Sequence, residues 1–170
     1  MKSIKLVSKM LAVLVVLTVS FAPSFASGQF FSMENPLTGK PAIDFTLDTL
    51  AGKKQSLSQF RDGKKAMIFF WATWCPHCRE QLRVLSEQKQ AIEKKGIKVL
   101  LVDLGETKEE VAAHVQRNKI DFDVFLDLDS SVAEKYAIIG VPTFIFVNEK
   151  GVVKAVKHAL PNDLDQIFGK

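Results

Sequence analysis

Two nearly unbroken apolar runs, Ala66-Met67-Ile68-Phe69-Phe70-Trp71 and Val99-Leu100-Leu101-Val102, dominate the middle of this chain. A strand without a polar face has to be covered on both sides, so the runs call for a sheet with helices on both faces. The stretch between them supplies one such helix. Pro76 suits a first helical turn, where its missing N–H is not needed. Leu82, Leu85, Ala91 and Ile92 form an apolar stripe, and Gly96 follows to end it. The expected order is a strand over 65–71, a helix over 76–95 and a second buried strand over 97–103.

The flanking regions extend the pattern. Ile43, Phe45 and Leu47 alternate with polar residues, the period of a strand, and 55–57 returns after the turn Ala51-Gly52-Lys53-Lys54. Thr107 with Glu110 reads as a capping box opening a helix to Asn118, with Val111, Ala112 and Val115 inward. A short strand follows at 122–126. Ser131 and Glu134 are expected to cap a short helix reaching Tyr136. Strands at 143–147 and 152–156 flank Asn148-Glu149-Lys150-Gly151 as a hairpin. Pro161 is expected to open a terminal helix through Phe168. Alternating strands and helices closed by a hairpin and helix predict an α/β sandwich with a partly parallel sheet.

With 170 residues the chain suffices for one domain with a substantial core. Its net charge of +4 carries little information about partners, because Lys2, Lys5 and Lys9 all precede the first acid, Glu34. A nucleic-acid binder needs a basic surface on the folded body, and that class loses its support. The Lys-bearing start, the apolar stretch from Met10 and the small residues Ser24 and Ala26 read as a secretory signal cut after Ala26. An uncleaved anchor is the lesser reading, since a bilayer span takes about 20 apolar residues. The expected organisation is a signal over 1–26, a linker or leading arm over 27–40 and one domain over 41–170. Export puts the chain where disulfides persist.

Both cysteines lie in Trp74-Cys75-Pro76-His77-Cys78, directly after the first apolar run. A structural disulfide gains stability by closing a long loop, and this one closes a short loop. A zinc site needs about four ligands; no second pair exists, and His114 and His158 are distant in the sequence. Attachment of c-type haem requires His after the second Cys, and Arg79 stands there. Reversible thiol-disulfide exchange is the chemistry left. Cys75 is expected just before the helix, reaching solvent, with Cys78 buried beneath it. The unpaired N–H groups and positive end of a helix favour an anion, so the Cys75 thiol is expected in the lower half of the roughly 3.5–7 range of such pairs.

The segments Phe70-Trp71-Ala72-Thr73-Trp74-Cys75-Pro76-His77-Cys78 and Gly140-Val141-Pro142-Thr143 resemble the thioredoxin superfamily. The first is similar to its active-site strand and loop, the second to the segment carrying its cis-proline, at Pro142. The leading hairpin from Pro41 through Leu57 and the added helix and strand between Thr107 and Leu126 resemble the exported TlpA/ResA-like redoxins. The dipeptide Pro76-His77 is similar to that of DsbA-type oxidases. The resemblance implies a thioredoxin-like three-layer sandwich: a central mixed sheet, helices on both faces, an N-terminal hairpin and an extra helix-strand insertion. It implies an exported thiol-disulfide oxidoreductase in which Cys75 and Cys78, with Pro76 and His77 between them, carry catalysis. Trp74, Val141, Pro142 and Thr143 form the implied substrate surface. Implied partners are proteins with thiols or disulfides and a membrane or periplasmic redox protein that recycles the pair. No cofactor, metal or nucleic acid is implied.

Two positions depart from the pattern. Phe69 stands where thioredoxin has a buried acid, and Gln81 stands where many exported redoxins have Glu, with Glu80 one position early. The proton acceptor for Cys78 is therefore open. Trp71 reads as core and Trp74 as the site's rim, while His114 and His158 read as ordinary surface or edge residues. Two other functions remain: a peroxiredoxin-like peroxidase, for which Ala72-Thr73-Trp74-Cys75 lacks Thr three residues before Cys75, and a copper-binding chaperone using Cys75, Cys78 and a His.

Overall fold

A computed structural model describes residues 35–169. The proposed signal and most of the leading arm lie outside the described residues. Seven strands form one sheet: β1 (Thr46–Thr49), β2 (Lys54–Ser56), β3 (Lys65–Trp71), β4 (Ile97–Leu104), β5 (Asp123–Asp127), β6 (Thr143–Val147) and β7 (Val153–Lys157). Five helices accompany them among the described residues: α1 (Leu57–Arg61), α2 (Pro76–Lys94), α3 (Lys108–Asn118), α4 (Ser131–Lys135) and α5 (Asp165–Phe168). The strand order is β2-β1-β5-β4-β3-β6-β7. β3, β4 and β5 run parallel, and β1, β2, β6 and β7 join antiparallel, so the sheet is mixed as expected.

The two apolar runs became the two central strands for the reason their composition implied. Met67, Phe69 and Trp71 of β3 face Leu82, Leu85 and Ile92 of α2 and Val111 of α3. Ala66, Ile68 and Phe70 face the other way, toward Leu57 and Phe60 of α1, Val132 and Ala133 of α4, and Tyr136. Each large apolar side chain so buried contributes about 1.5–3 kcal/mol. In register, Trp71 lies beside Asp103 at the carboxyl ends of β3 and β4. The active-site loop leaves the sheet at that end.

Four local expectations are corrected. β1 begins at Thr46 and not at Ile43; the Phe45 side chain is buried, but its carbonyl accepts from Leu57 N–H, outside the ladder. The segment after β2 is helix α1 and no continuation of the strand, because Ser56 and Gln59 form a capping box. Helix α4 is not capped by Ser131 and Glu134; Ser130 is its N-cap without a side-chain bond, and the Asp127 carboxylate accepts from Val132 and Ala133 N–H. The terminal helix starts at Asp165, with Asp163 accepting from Asp165 N–H, so Pro161 lies in the loop before it.

The described part of the leading arm is fastened to the last hairpin. Gly39 N–H donates to Val153 O, Val153 N–H to Lys40 O, and Ala42 N–H to Gly151 O. No helix among the described residues is long and apolar enough to cross a membrane.

Candidate active site at the start of helix α2

Strand β3 delivers the loop to the amino end of α2, where Cys75 is the N-cap residue and Pro76 opens the first turn. Cys75 and Cys78 form a disulfide with Cα atoms 5.2 Å apart. Cys75 Sγ accepts from Cys78 N–H at 3.2 Å, so one of the orphan donors of the helix start is spent on the sulfur. Cys78 is fully buried. Cys75 is only 4% exposed, a correction to the expected open position: the sulfur is covered by its own loop and by the segment opposite. Trp74, 67% exposed, forms the rim beside it.

The segment opposite runs over residues 140–143. Val141 O lies 3.7 Å from Cys75 Sγ, and the Val141–Pro142 peptide bond is cis. Thr143 is buried and donates its hydroxyl hydrogen to Gly140 O at 2.7 Å. His158, just past β7, places Nδ1 3.2 Å from both Pro142 O and Thr143 Oγ1. Two residues further on, Leu160 N–H donates to Gln81 Oε1 of α2 at 2.7 Å.

Behind the loop lies a cluster of charge. Glu106 accepts from Thr73 N–H and Thr73 Oγ1–H, both at 2.5 Å, and Arg79 donates to Thr73 O at 3.1 Å. Next to Glu106 is Asp103, 1% exposed, whose carboxylate oxygens meet no donor in hydrogen-bonding geometry. Burial pushes Asp103 up to about 8, and the neighbouring Glu106 carboxylate adds to the shift. Burial without a partner and the like charge of Glu106 both favour the protonated form of Asp103. His114 is half-buried against Trp71, ring centroids 5.5 Å apart. Its pKa is lowered by burial and by the Arg79 charge, with Glu106 opposing.

Residues 38–156 match the model of the AhpC/TSA family. The chain belongs to the AhpC/TSA family. It is 29% identical over 153 residues to thiol-disulfide oxidoreductase ResA of Bacillus subtilis, covering 89% of this chain and 85% of the relative. Among solved structures, StoA from Bacillus subtilis matches with 28% identity and a TM-score of 0.61, over 75% of this chain and 95% of that one. The thioredoxin domain of a thiol-disulfide oxidoreductase from Bacteroides vulgatus matches with 28% identity and a TM-score of 0.65, over 71% and 87%. The fold is thioredoxin-like, and this AhpC/TSA-family chain is a redox enzyme of the thiol-disulfide oxidoreductase class.

The family chain brings Cys75, Pro76, Cys78, Val141, Pro142 and Thr143 to one place. Trp74 borders them, and His77 sits exposed on the first turn of α2, with no hydrogen bond from its ring to either sulfur. Sequence reasoning missed four residues. Asp103 was signalled by an acid ending an apolar strand and Glu106 by its place just before a helix cap. Gln81 was marked only as a departure from the redoxin pattern and His158 only as an edge residue, because their contacts depend on how the last loop returns to α2. Among the described residues, no three His, Cys, Asp or Glu side chains are grouped to hold a metal.

Proposed function

We propose that this protein is exported and exchanges its Cys75–Cys78 disulfide with thiols of protein substrates. The observation that carries the reading is a disulfide sulfur at a helix N-cap, facing the main-chain carbonyl of Val141 at 3.7 Å. The exchange moves two electrons. A substrate thiolate attacks Cys75 Sγ, the Cys75–Cys78 bond breaks, and Cys78 leaves as a thiolate that takes a proton. A second substrate thiolate attacks the substrate sulfur of the mixed disulfide. A substrate disulfide forms, and Cys75 leaves as a thiolate held by the positive end of α2. In the reverse direction Cys75 attacks a substrate disulfide and Cys78 resolves it.

Protein substrates fit the surroundings. Of the large exposed hydrophobics among the described residues, Trp74 and Ile139 lie next in sequence to the two segments that meet at the sulfur. An extended substrate chain can lie along residues 139–141 in strand-like fashion, with apolar side chains against Trp74 and Ile139. A membrane or periplasmic redox protein is the proposed recycling partner, consistent with the signal-like residues 1–26.

The test is trapping. Cys78→Ser should accumulate mixed disulfides with protein substrates through Cys75, and Cys75→Ser should accumulate none and lose exchange. Activity retained by Cys75→Ser, or peroxide consumption without transfer to a thiol substrate, overturns the reading. The direction follows from the reduction potential in a glutathione series: about −120 mV marks an oxidant and about −270 mV a reductant.

A further inference from the structure

His158 sits where the β6–β7 ladder stops. Phe144 pairs with Lys157, and the ladder has no donor to offer beyond Thr143, because Pro142 has no N–H. The His158 side chain takes over there. Its Nδ1 is 3.2 Å from two oxygens, Pro142 O and Thr143 Oγ1. A carbonyl only accepts, and the Thr143 hydroxyl has given its single hydrogen to Gly140 O. Nδ1 therefore carries the hydrogen and donates to both.

The contacts make a continuous chain. His158 holds Pro142 and Thr143, Thr143 holds Gly140, and between them Val141 presents its carbonyl to the Cys75 sulfur. The loop carrying His158 is itself anchored to α2 through Leu160 and Gln81, three residues beyond Cys78. The imidazole thus braces the segment opposite the disulfide from a strand end that is already fixed at both ends.

We infer that His158 is a positioning residue of the exchange reaction: its Nδ1–H holds residues 140–143 in the arrangement that receives an extended protein substrate beside Cys75. This rests on the proposed docking of substrate along residues 139–141. His158 touches neither sulfur, so its effect falls on substrate engagement more than on bond exchange. Loss of the brace is expected to raise KM for a protein disulfide or dithiol substrate roughly five- to tenfold, the scale of one net hydrogen bond, with kcat changed less than twofold.

The experiment compares turnover of a reduced, unfolded protein substrate by full-length wild type and variants. His158→Ala should show the raised KM. His158→Asn places an amide N–H where Nδ1 was and should restore most of it. His158→Gln reaches instead to the position of Nε2 and should not. Equal KM for His158→Ala and wild type overturns the inference, as does equal rescue by Asn and Gln, which would mark mere space-filling. Ile139→Asp, on an exposed side chain, tests the docking itself. If it raises KM while His158→Ala does not, docking stands and the role of His158 fails. If neither changes KM, the docking reading fails as well.

Discussion

The sulfur of Cys75 and the imidazole of His77 illustrate how far a motif reaches at the scale of single residues. The spacing in Trp74-Cys75-Pro76-His77-Cys78 shows which atoms react, because the ring it closes has few other uses. It does not show what His77 does, since the first turn of a helix has one side toward the sulfur and another toward solvent. Here it is exposed and forms no bond to the sulfur. The Cys75 thiol should therefore owe its acidity mainly to the N-cap and the helix end, and titrate below the free value of about 8.5. His77→Ser should raise that pKa by only about half a unit, the size of an exposed charge at a helix end. Alkylation rate against pH measures both. A shift of several units on His77→Ser would return His77 to direct contact with the thiolate.

At the scale of elements, legibility followed burial. β3, β4, α2 and α3 were readable because a strand covered on both faces, or a helix with a proline start and a capping box, has one plausible state. β1, α1, α4 and α5 are each five residues or fewer, too short for periodicity to set their bounds, and contacts distant in sequence help to hold them. Arg61, at the end of α1, shows the kind of contact involved. Its guanidinium is buried and donates to Lys64 O, Asn148 O and Glu149 O at 3.1, 2.5 and 3.2 Å. One side chain thus fastens α1 to the turn of the β6–β7 hairpin, a link that no local pattern around either segment encodes. Arg61→Ala removes these bonds, leaving Asn148 O only its bond from Gly151 N–H, and should destabilise the fold by about 2–3 kcal/mol. Arg61→Lys, lacking the planar fork, should recover only part of that. Urea unfolding of the three proteins checks the order.

At the scale of the whole molecule, the buried acid Asp103 makes stability depend on pH. The apolar strand 97–103 could be read without knowing that its terminal acid lies beside Trp71 and against Glu106, because that requires the register of β3 and β4 and the return of the chain at Glu106. Its pKa is about 8 in the folded protein and 3.8 ordinarily, so between these values the native state holds a proton that the unfolded chain has released. Stability is then fully present below about pH 4 as far as this group is concerned, and is lost as pH rises toward 8. Asp127, raised by burial, acts with the same sign. Glu110, Asp129 and Glu149 are lowered and act oppositely, but they are exposed and screened. Between pH 5 and 9 the wild type should lose roughly 2–4 kcal/mol through this group. Asp103→Asn keeps the shape, carries no charge at any pH and should flatten most of that fall, leaving the variant the more stable protein at pH 9. Urea midpoints at the two pH values decide it. A wild type equally stable at both, or a variant with an undiminished slope, would mean that Asp103 is ionised in the native protein. The grip of Glu106 on Thr73, two residues before Cys75, would then be independent of any proton on Asp103.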